Sequence, residues 1–186
     1  MKFRSLLVMS VASILLLAAC DSAKKAGAEA AIKTADTAFS TISAEASKYV
    51  PDQAKAVQDS LTAAKTSLTN GDYEAALTSA KDLPGKISDL ATAVKAKKDE
   101  LTAQWTSLSG SLPKSVAEVQ AKVGALTKTH KLPAGAGDQL AAVQQTWTDA
   151  SSAFTGGNLT DAMAKATEVK DKLGALRTML GLKPAA

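Results

Sequence analysis

The chain carries one stretch of its sequence twice. Residues 52–94 align without a gap with residues 138–180, at a constant offset of 86 positions. Many matched positions are identical, and others keep the size class of the side chain. Identical pairs include Asp52/Asp138, Gln53/Gln139, Val57/Val143, Gly71/Gly157, Ala76/Ala162 and Leu90/Leu176, and pairs of similar size include Leu61/Trp147, Leu68/Phe154 and Ile87/Leu173. A repeated stretch predicts a repeated structural unit, so each half is expected to bury an equivalent apolar stripe.

Apolar residues within the repeat recur at steps of three and four, which is the period of an amphipathic α-helix. In the first half this row contains Ala54, Val57, Leu61, Ala64 and Leu68. The alternating β-branched and aromatic runs that predict strands are missing from the sequence. Because 46% of the residues are hydrophobic and only 4% are aromatic, the core must consist mainly of Ala, Leu and Val. The sequence therefore predicts an all-α fold.

The breaks between apolar rows predict an elongated bundle of about six helices, in two tandem three-helix units over residues 31–110 and 111–181. The first helix is expected to end before Pro51, because the residue preceding a proline avoids helical geometry. Pro84 is expected to kink the third helix without ending it, since the apolar row stays in phase across it. Residues 182–186 are expected to form a frayed tail.

The boundary between the third and fourth helices is predicted from two signals. Gly110 and Ser111 are expected to end the third helix. Ser115 and Glu118 have the spacing of a capping box, which would begin the fourth helix, although Pro113 could also begin it earlier. Residues 132–137, with the sequence Leu-Pro-Ala-Gly-Ala-Gly, then predict the loop before the fifth helix.

The turn between the second and third helices is specified in most detail. Gly71 suits a left-handed residue at the end of a helix. Asp72 can accept hydrogen bonds from the first free N–H groups of the next helix. Gly157 and Asn158 offer the same pair of features in the second copy.

Residues 71–76, Gly-Asp-Tyr-Glu-Ala-Ala, resemble the middle of a tetratricopeptide repeat, where a glycine turn leads into Tyr and then Ala. The resemblance implies a helical hairpin and, in that family, a concave groove for a peptide. The sequence departs from the family at Ala80, where an aromatic residue is usual. Its helices are also too long for the 34-residue period of that family. A generic helical hairpin is therefore the preferred interpretation.

Residues 1–19 have the features of an export signal. Lys2 and Arg4 precede an apolar run that is too short to span a bilayer as a permanent helix. The run ends in Leu-Ala-Ala-Cys at 17–20, which resembles the lipobox of bacterial lipoproteins. The resemblance implies that Cys20 is joined to diacylglycerol through a thioether, becomes the mature N-terminus and is then N-acylated. Two or more acyl chains are what stable membrane attachment requires.

Cys20 is the only cysteine, so no intramolecular disulfide can form. An ordinary signal peptide with an incidental cysteine is the alternative interpretation. Residues 20–30 are small and polar, which predicts a tether between the lipid and the helical domain at 31–181. By the same resemblance, Asp21 slightly favours the inner membrane of the bacterial envelope, with the outer membrane left open. In both cases the protein would face the periplasm.

The charge of the mature chain is close to balanced. Without the two basic residues of the leader, the 22 basic residues become 20 against 18 acidic ones, a net charge of +2. Arg177 is the only arginine that follows the leader. The clusters of basic and aromatic residues typical of nucleic-acid binding are missing, so no nucleic-acid partner is expected.

The sequence predicts no catalytic, metal or cofactor site. His130 is the only histidine and has no cysteine near it, so it is expected to be a partly exposed residue at a helix end. Carboxylates such as Asp59 and Glu74 fall between the apolar rows, where they would be solvated. No serine lies in a nucleophile-elbow motif. Trp105 and Trp147 lie in apolar rows and are expected to anchor the core.

The expected function is that of a non-catalytic scaffold or adaptor in the cell envelope, anchored through Cys20 and presenting helical faces to another protein. The alternative is a carrier whose helices hold a small apolar ligand, and an enzyme is the least expected class. A closed cavity lined by Leu, Val and Trp would favour the carrier. An exposed apolar stripe on the third or last helix would favour the adaptor. Converging buried carboxylates would favour an enzyme.

Overall fold

The computed structural model describes the backbone of residues 3–183 and the side chains of residues 21–183. Five α-helices occupy this part of the chain, which contains no strand, so the predicted all-α class is confirmed. The helices are α1 (Phe3–Tyr49), α2 (Pro51–Thr69), α3 (Tyr73–Lys128), α4 (Ala136–Thr155) and α5 (Leu159–Met179). The chain divides into two compact units, Met1–Lys95 and Ala96–Ala186.

The prediction of a helix end at Gly110 and Ser111 is wrong, and the six expected helices become five. Both residues lie inside α3, and the Ser111 hydroxyl donates to the carbonyl of Ser107 at 3.1 Å. An interior glycine costs a helix only about 1 kcal/mol. The apolar row continues across this point, because Trp105 and Leu112 are both buried. Their burial outweighs the local preference for a turn.

The predicted capping box at Ser115 and Glu118 is also absent, since both residues lie in the interior of α3. The Glu118 carboxylate instead pairs with the guanidinium of Arg177 in α5. The expectation that the third helix continues through Pro84 is confirmed, because α3 runs unbroken from Tyr73 to Lys128. Leu83 and Ile87, on either side of Pro84, are buried and hold this part of the helix in place.

Unit 1 contains α1, α2 and the part of α3 up to Lys95. Most of the residues predicted to form its apolar faces are buried: Ile32, Ala35, Phe39 and Ala46 in α1, Ala54, Val57, Leu61 and Ala64 in α2, and Ala76, Ala80, Leu83, Ile87, Leu90 and Val94 in α3. Leu68, the last residue of the predicted row in α2, is half-buried, as are Ile42 in α1 and Leu77 in α3. As predicted, α1 ends before Pro51, which occupies the first turn of α2, where its missing N–H removes no helical bond. Lys65 in α2 also pairs with Asp36 in α1 at 2.8 Å.

The segment predicted to be a tether contacts other helices of unit 1, although its small and polar composition does not predict this. Residues 21–30 belong to α1, and Ala28 is fully buried. Lys24 pairs with Glu74 at the start of α3, with 2.9 Å between Nζ and Oε2. A Cβ placed at Gly27 would lie 3.9 Å from Cδ1 of Leu77 in α3, so the two helices are in contact at this point. The part of this segment from Lys24 onward therefore packs with the helices that follow.

Unit 2 contains the remainder of α3 together with α4 and α5. Its core cluster takes buried residues from each of these helices: Trp105, Leu112, Val119 and Val123 from α3, Ala136, Leu140, Val143 and Ala150 from α4, and Ala162, Ala166, Val169, Leu173 and Leu176 from α5, followed by Leu180. The unit begins before residue 110, the predicted end of the first repeat, because Trp105 already packs on α4.

The turn after α2 has the predicted geometry. Gly71 has a φ of +80°, and the N–H of Asp72 donates to the Ser67 carbonyl at 2.9 Å. The Asp72 carboxylate then accepts from the N–H of Ala75 at 3.1 Å, which caps α3. The second copy repeats only the first half of this arrangement. Gly157 is left-handed at +76°, but Asn158 makes no side-chain cap bond to the backbone of α5.

Of the predicted frayed tail at 182–186, residues 184–186 lie outside the described part of the chain, and residues 182 and 183 contact α5. Leu182, the first residue after Gly181, packs partly buried against the core of unit 2. Its N–H donates to the Arg177 carbonyl at 2.9 Å, while Arg177 Nε donates to the carbonyl of Lys183 at 2.7 Å. These bonds complete the end of α5 and order the residues just beyond it.

Candidate functional site

The predicted lipidation site, Cys20, lies outside the residues whose side chains the structure describes. The leader at 1–19 lies outside them as well. Within the described residues, no helix combines the length and apolar character needed to cross a bilayer. The candidate binding surfaces are therefore formed by side chains of residues 21–183.

Three aromatic rings form a stack in unit 2. The Trp105 and Trp147 rings are 5.3 Å apart at an interplanar angle of 6°, and the Trp105 and Phe154 rings are 4.6 Å apart at 8°. Trp147 and Phe154 are separated by two turns of α4, a rise of about 10 Å. That spacing allows the indole of Trp105 to insert between them. Trp105 is buried, whereas Trp147 and Phe154 are half-buried.

A shallow groove of about 640 Å³ adjoins Trp147. Its lining is a face of α4 and the glycine at its end: Trp147, Thr148, Ser151, Ser152, Thr155 and Gly156. We call this surface the indole groove. Its lining contains one aromatic ring and four hydroxyl groups but no charged side chain. Sequence reasoning placed Trp147 in the core and did not identify the hydroxyl-bearing face beside it.

Each unit contains one lysine that bridges its second and third helices. Lys86 Nζ donates to the Ser60 hydroxyl at 2.9 Å in unit 1. Lys172 Nζ donates to the Thr146 hydroxyl at 3.1 Å in unit 2. Lys86 and Lys172 are equivalent in the repeat, and so are Ser60 and Thr146, because the positions in each of these two sets differ by 86. The repeat alignment contained this signal, because the lysine is identical and the hydroxyl is kept, but the bond itself depends on the helix packing.

The bridging lysines lie beside equivalent grooves. The groove in unit 1 measures about 290 Å³ and that in unit 2 about 150 Å³. Gln53, Ala56 and Lys86 line the first, and their equivalents Gln139, Ala142 and Lys172 line the second. A third groove of about 480 Å³ lies between α3 and α5 and includes Lys170 and Asp171. None of the three is a large closed cavity lined by Leu, Val and Trp, which a carrier would require, and the carrier hypothesis stays a prediction.

The charged groups of the described residues are spread over the surface. None of the Asp or Glu residues between 21 and 183 is buried, and Asp149 and Asp161 are the half-buried ones. No group of three or more His, Cys, Asp or Glu residues in this range could hold a metal ion. His130 is exposed just after α3, as predicted, with a φ of +55°. Residues 21–183 therefore contain no cluster of buried carboxylates.

One ion pair differs from these surface charges because its basic member is buried. The Arg177 side chain is 6% exposed and lies 2.5 Å from the Glu118 carboxylate, which is 54% exposed. This pair joins α5 to α3 within unit 2. Residue 91, the repeat equivalent of Arg177, is an exposed alanine. The sequence marked Arg177 as unusual, yet only the packing assigns it a partner.

Large exposed hydrophobic side chains are scarce in the described residues, where Met179 is the one that reaches 39% exposure. The contiguous apolar stripe that would favour an adaptor is therefore absent from α3 and α5 over the residues described. The half-buried hydrophobic side chains include the aromatic pair of α4, Trp147 and Phe154, together with others such as Leu108 and Met163.

Comparisons with protein-family models, with curated proteins and with solved structures give no match for this chain.

Proposed function

We propose that the protein is a lipid-anchored component of the bacterial cell envelope that acts as a non-catalytic scaffold or adaptor facing the periplasm. The observation that carries this proposal is the leader that ends in Leu-Ala-Ala-Cys at 17–20. The charge, the apolar run, the small residues and the cysteine stand in the order of a lipobox. Asp21 slightly favours the inner membrane as the site of the anchor, with the outer membrane as the alternative.

The packing of α1 supports a short connection between the anchor and unit 1. Ala28, the first buried residue among the side chains of α1 that the structure describes, lies eight positions after Cys20. Eight residues of α-helix span about 12 Å. A lipid on Cys20 would therefore hold unit 1 close to the membrane surface. Partners of unit 1 would be other proteins near that surface.

The distribution of polar groups supports a binding role. The exposed carboxylates, the absence of a metal-binding group in residues 21–183 and the open grooves suit a protein that presents surfaces. The two units supply separate helical faces, each supported by its own core. The partner is expected to recognise polar helical surfaces, since no contiguous apolar stripe is exposed on α3 or α5 within residues 21–183.

We further infer that the two units are copies of one three-helix element. Burial agrees at the repeat offset in the third helix of each unit, with the buried pairs Ala76/Ala162, Ala80/Ala166, Leu83/Val169, Ile87/Leu173, Leu90/Leu176 and Val94/Leu180. The lysine bridges at Lys86 and Lys172 also agree. At an offset of 84, Ala35 and Val119 are both buried in the first helix of their units.

The anchor can be tested directly by fatty-acid labelling. Cells that express the chain are grown with an alkyne-bearing palmitate, and the protein is compared with a Cys20→Ala variant. We expect label and membrane association in the original chain, and the loss of both in the variant. A mature protein that carries no fatty acid would remove the basis of the proposal.

The doubling can be tested with a matched pair of core substitutions. Leu90 and Leu176 are identical in type, equivalent in the repeat and almost fully buried. Substitution of either one by alanine is expected to destabilise its unit by about 3 kcal/mol. Denaturant unfolding that yields losses differing by more than about 2 kcal/mol would contradict equivalent environments.

A further inference from the structure

The two copies differ at the indole groove, which lies on one face of the second helix of unit 2. The indole groove of α4 has Trp147, Ser151 and Gly156 where α2 has Leu61, Lys65 and Asn70. The substitutions add an aromatic ring and remove a charge from the same small surface. Leu61 is 1% exposed, whereas Trp147 is half-buried and lines the groove. This local divergence is unlike the shared core positions, which keep their burial.

The stack behind Trp147 holds its indole in a fixed orientation. Trp105 lies parallel to it within 6°, and Trp105 also stacks on Phe154. Parallel aromatic pairs at such distances contribute about 0.5–1.5 kcal/mol beyond their buried area. A rigid aromatic surface loses little conformational entropy when a ligand settles on it. Trp105 covers one face of the Trp147 indole, so a ligand would contact the part of the ring that lines the groove.

The hydroxyl groups around the indole act as acceptors toward the groove. Thr148 donates to the Gln144 carbonyl at 3.0 Å, Ser151 donates to the Trp147 carbonyl at 3.0 Å, and Thr155 donates to the Ser151 carbonyl at 2.8 Å. A hydroxyl has one proton and two acceptor lone pairs. With the proton committed to the helix, each oxygen still offers acceptor capacity to a ligand.

We propose that the indole groove binds an uncharged glycan. A pyranose ring carries a flat C–H face, which fits an indole, and a rim of O–H donors, which fits a row of acceptors. A charged ligand would find no opposite charge in the lining. A purely aliphatic ligand would cover the hydroxyls without replacing their bonds to water, at a cost in free energy.

This ligand is separate from the protein partner proposed above, and it depends on neither the lipid anchor nor that partner. The proposal assigns a role to the indole groove, where unit 2 differs from unit 1. The groove is a property of unit 2 alone, because all of its lining residues belong to that unit.

The proposal can be tested on the full, detergent-solubilised protein by its tryptophan fluorescence. Both tryptophans of the chain, Trp105 and Trp147, belong to the stack, so the signal reports on this surface. The probes are the neutral oligosaccharides chitotetraose and cellotetraose, with inorganic phosphate and an acidic peptide as charged probes. We expect a saturable change with at least one neutral oligosaccharide and none with the charged probes.

Variants taken from the other copy locate the binding. Trp147→Leu introduces the residue that unit 1 has and should weaken binding by about tenfold or more, as expected for an aromatic anchor. Calorimetry replaces fluorescence for this variant. Ser151→Lys leaves the stack intact and places a charge in the groove, so it provides a second test if Trp147→Leu fails to fold.

The matched control uses equivalent positions in the two copies. Thr148→Val should weaken oligosaccharide binding, whereas Thr62→Val in unit 1 should leave it unchanged. The proposal is overturned if neither oligosaccharide binds, or if binding is insensitive to both Trp147→Leu and Ser151→Lys. Preferential binding of a charged probe would also overturn it. So would self-association that Trp147→Leu abolishes, since that would assign the groove to a second copy of the chain.

Discussion

Truncation of Glu118 to alanine leaves the guanidinium of Arg177 buried without its carboxylate partner. Loss of one member of a fully buried ion pair costs about 3–5 kcal/mol, and loss of an exposed pair costs about 0–1 kcal/mol. Arg177 is 6% exposed and Glu118 is 54% exposed. The pair lies between these limits, and Arg177 keeps its bond to the Lys183 carbonyl. We therefore expect Glu118→Ala to lower the free energy of unfolding by about 2 kcal/mol.

Arg177→Met should cost less, at about 1 kcal/mol, because methionine retains much of the apolar contact and removes the buried charge. In the Arg177→Met background, Glu118→Ala should have little further effect. The measurement is urea unfolding followed by tryptophan fluorescence, which reports on unit 2, where Trp105 and Trp147 lie. A double-mutant cycle then yields the coupling energy of the pair.

Glu168→Ala is the matched control, since Glu168 also pairs with a basic residue of α5. Its partner is Lys172, at 2.7 Å, and both side chains are substantially exposed. The control should cost no more than about 0.5 kcal/mol. Equal losses for Glu118→Ala and Glu168→Ala would refute the argument that burial of Arg177 sets the magnitude. Additive losses in the cycle would refute the coupling itself.

Three further substitutions test local features of the fold, each by denaturant unfolding. His130→Gly should stabilise unit 2 by about 0.5–1 kcal/mol, because residue 130 has a positive φ that glycine adopts without strain; an unchanged midpoint would contradict that strain. Asp72→Ala should cost about 1 kcal/mol through the lost cap on α3, while Asn158→Ala, where no cap bond exists, should cost less than about 0.5 kcal/mol; the reverse order would contradict the assignment of the caps. Trp105→Ala should destabilise unit 2 by about 3–5 kcal/mol, because it empties the space between two rings; a loss below about 1 kcal/mol would show that the stack adds little.

Local sequence signals predicted the turns and helix ends that depend on a few neighbouring residues. Pro51 starts α2, and Gly71 with Asp72 ends one helix and caps the next. These outcomes follow from backbone sterics and short-range hydrogen bonds, which are encoded within four or five positions. The same reasoning failed at Gly110 and Ser111, where burial further along α3 outweighed a weak local signal for a turn.

Long-range pairings were beyond the reach of the sequence. Arg177 and Glu118 are 59 positions apart, and the two lysine bridges each join residues 26 positions apart. Spacing along the chain indicates which face of a helix a residue occupies. It does not indicate which side chain on another helix will meet it. The sequence did not indicate the hydroxyl-bearing face beside Trp147 either, because Ser and Thr are common on solvated helix surfaces.

By itself the sequence determined the all-α class, the apolar faces and the 86-residue repeat, because helical periodicity is a property of consecutive residues. The tertiary structure decided that α3 runs through its predicted end, that Arg177 is buried against Glu118 and that Trp147 borders an uncharged groove. These features arise when helices distant in sequence pack together. Their stability comes from burial and pairing between those helices. A single stretch of the chain does not contain these interactions.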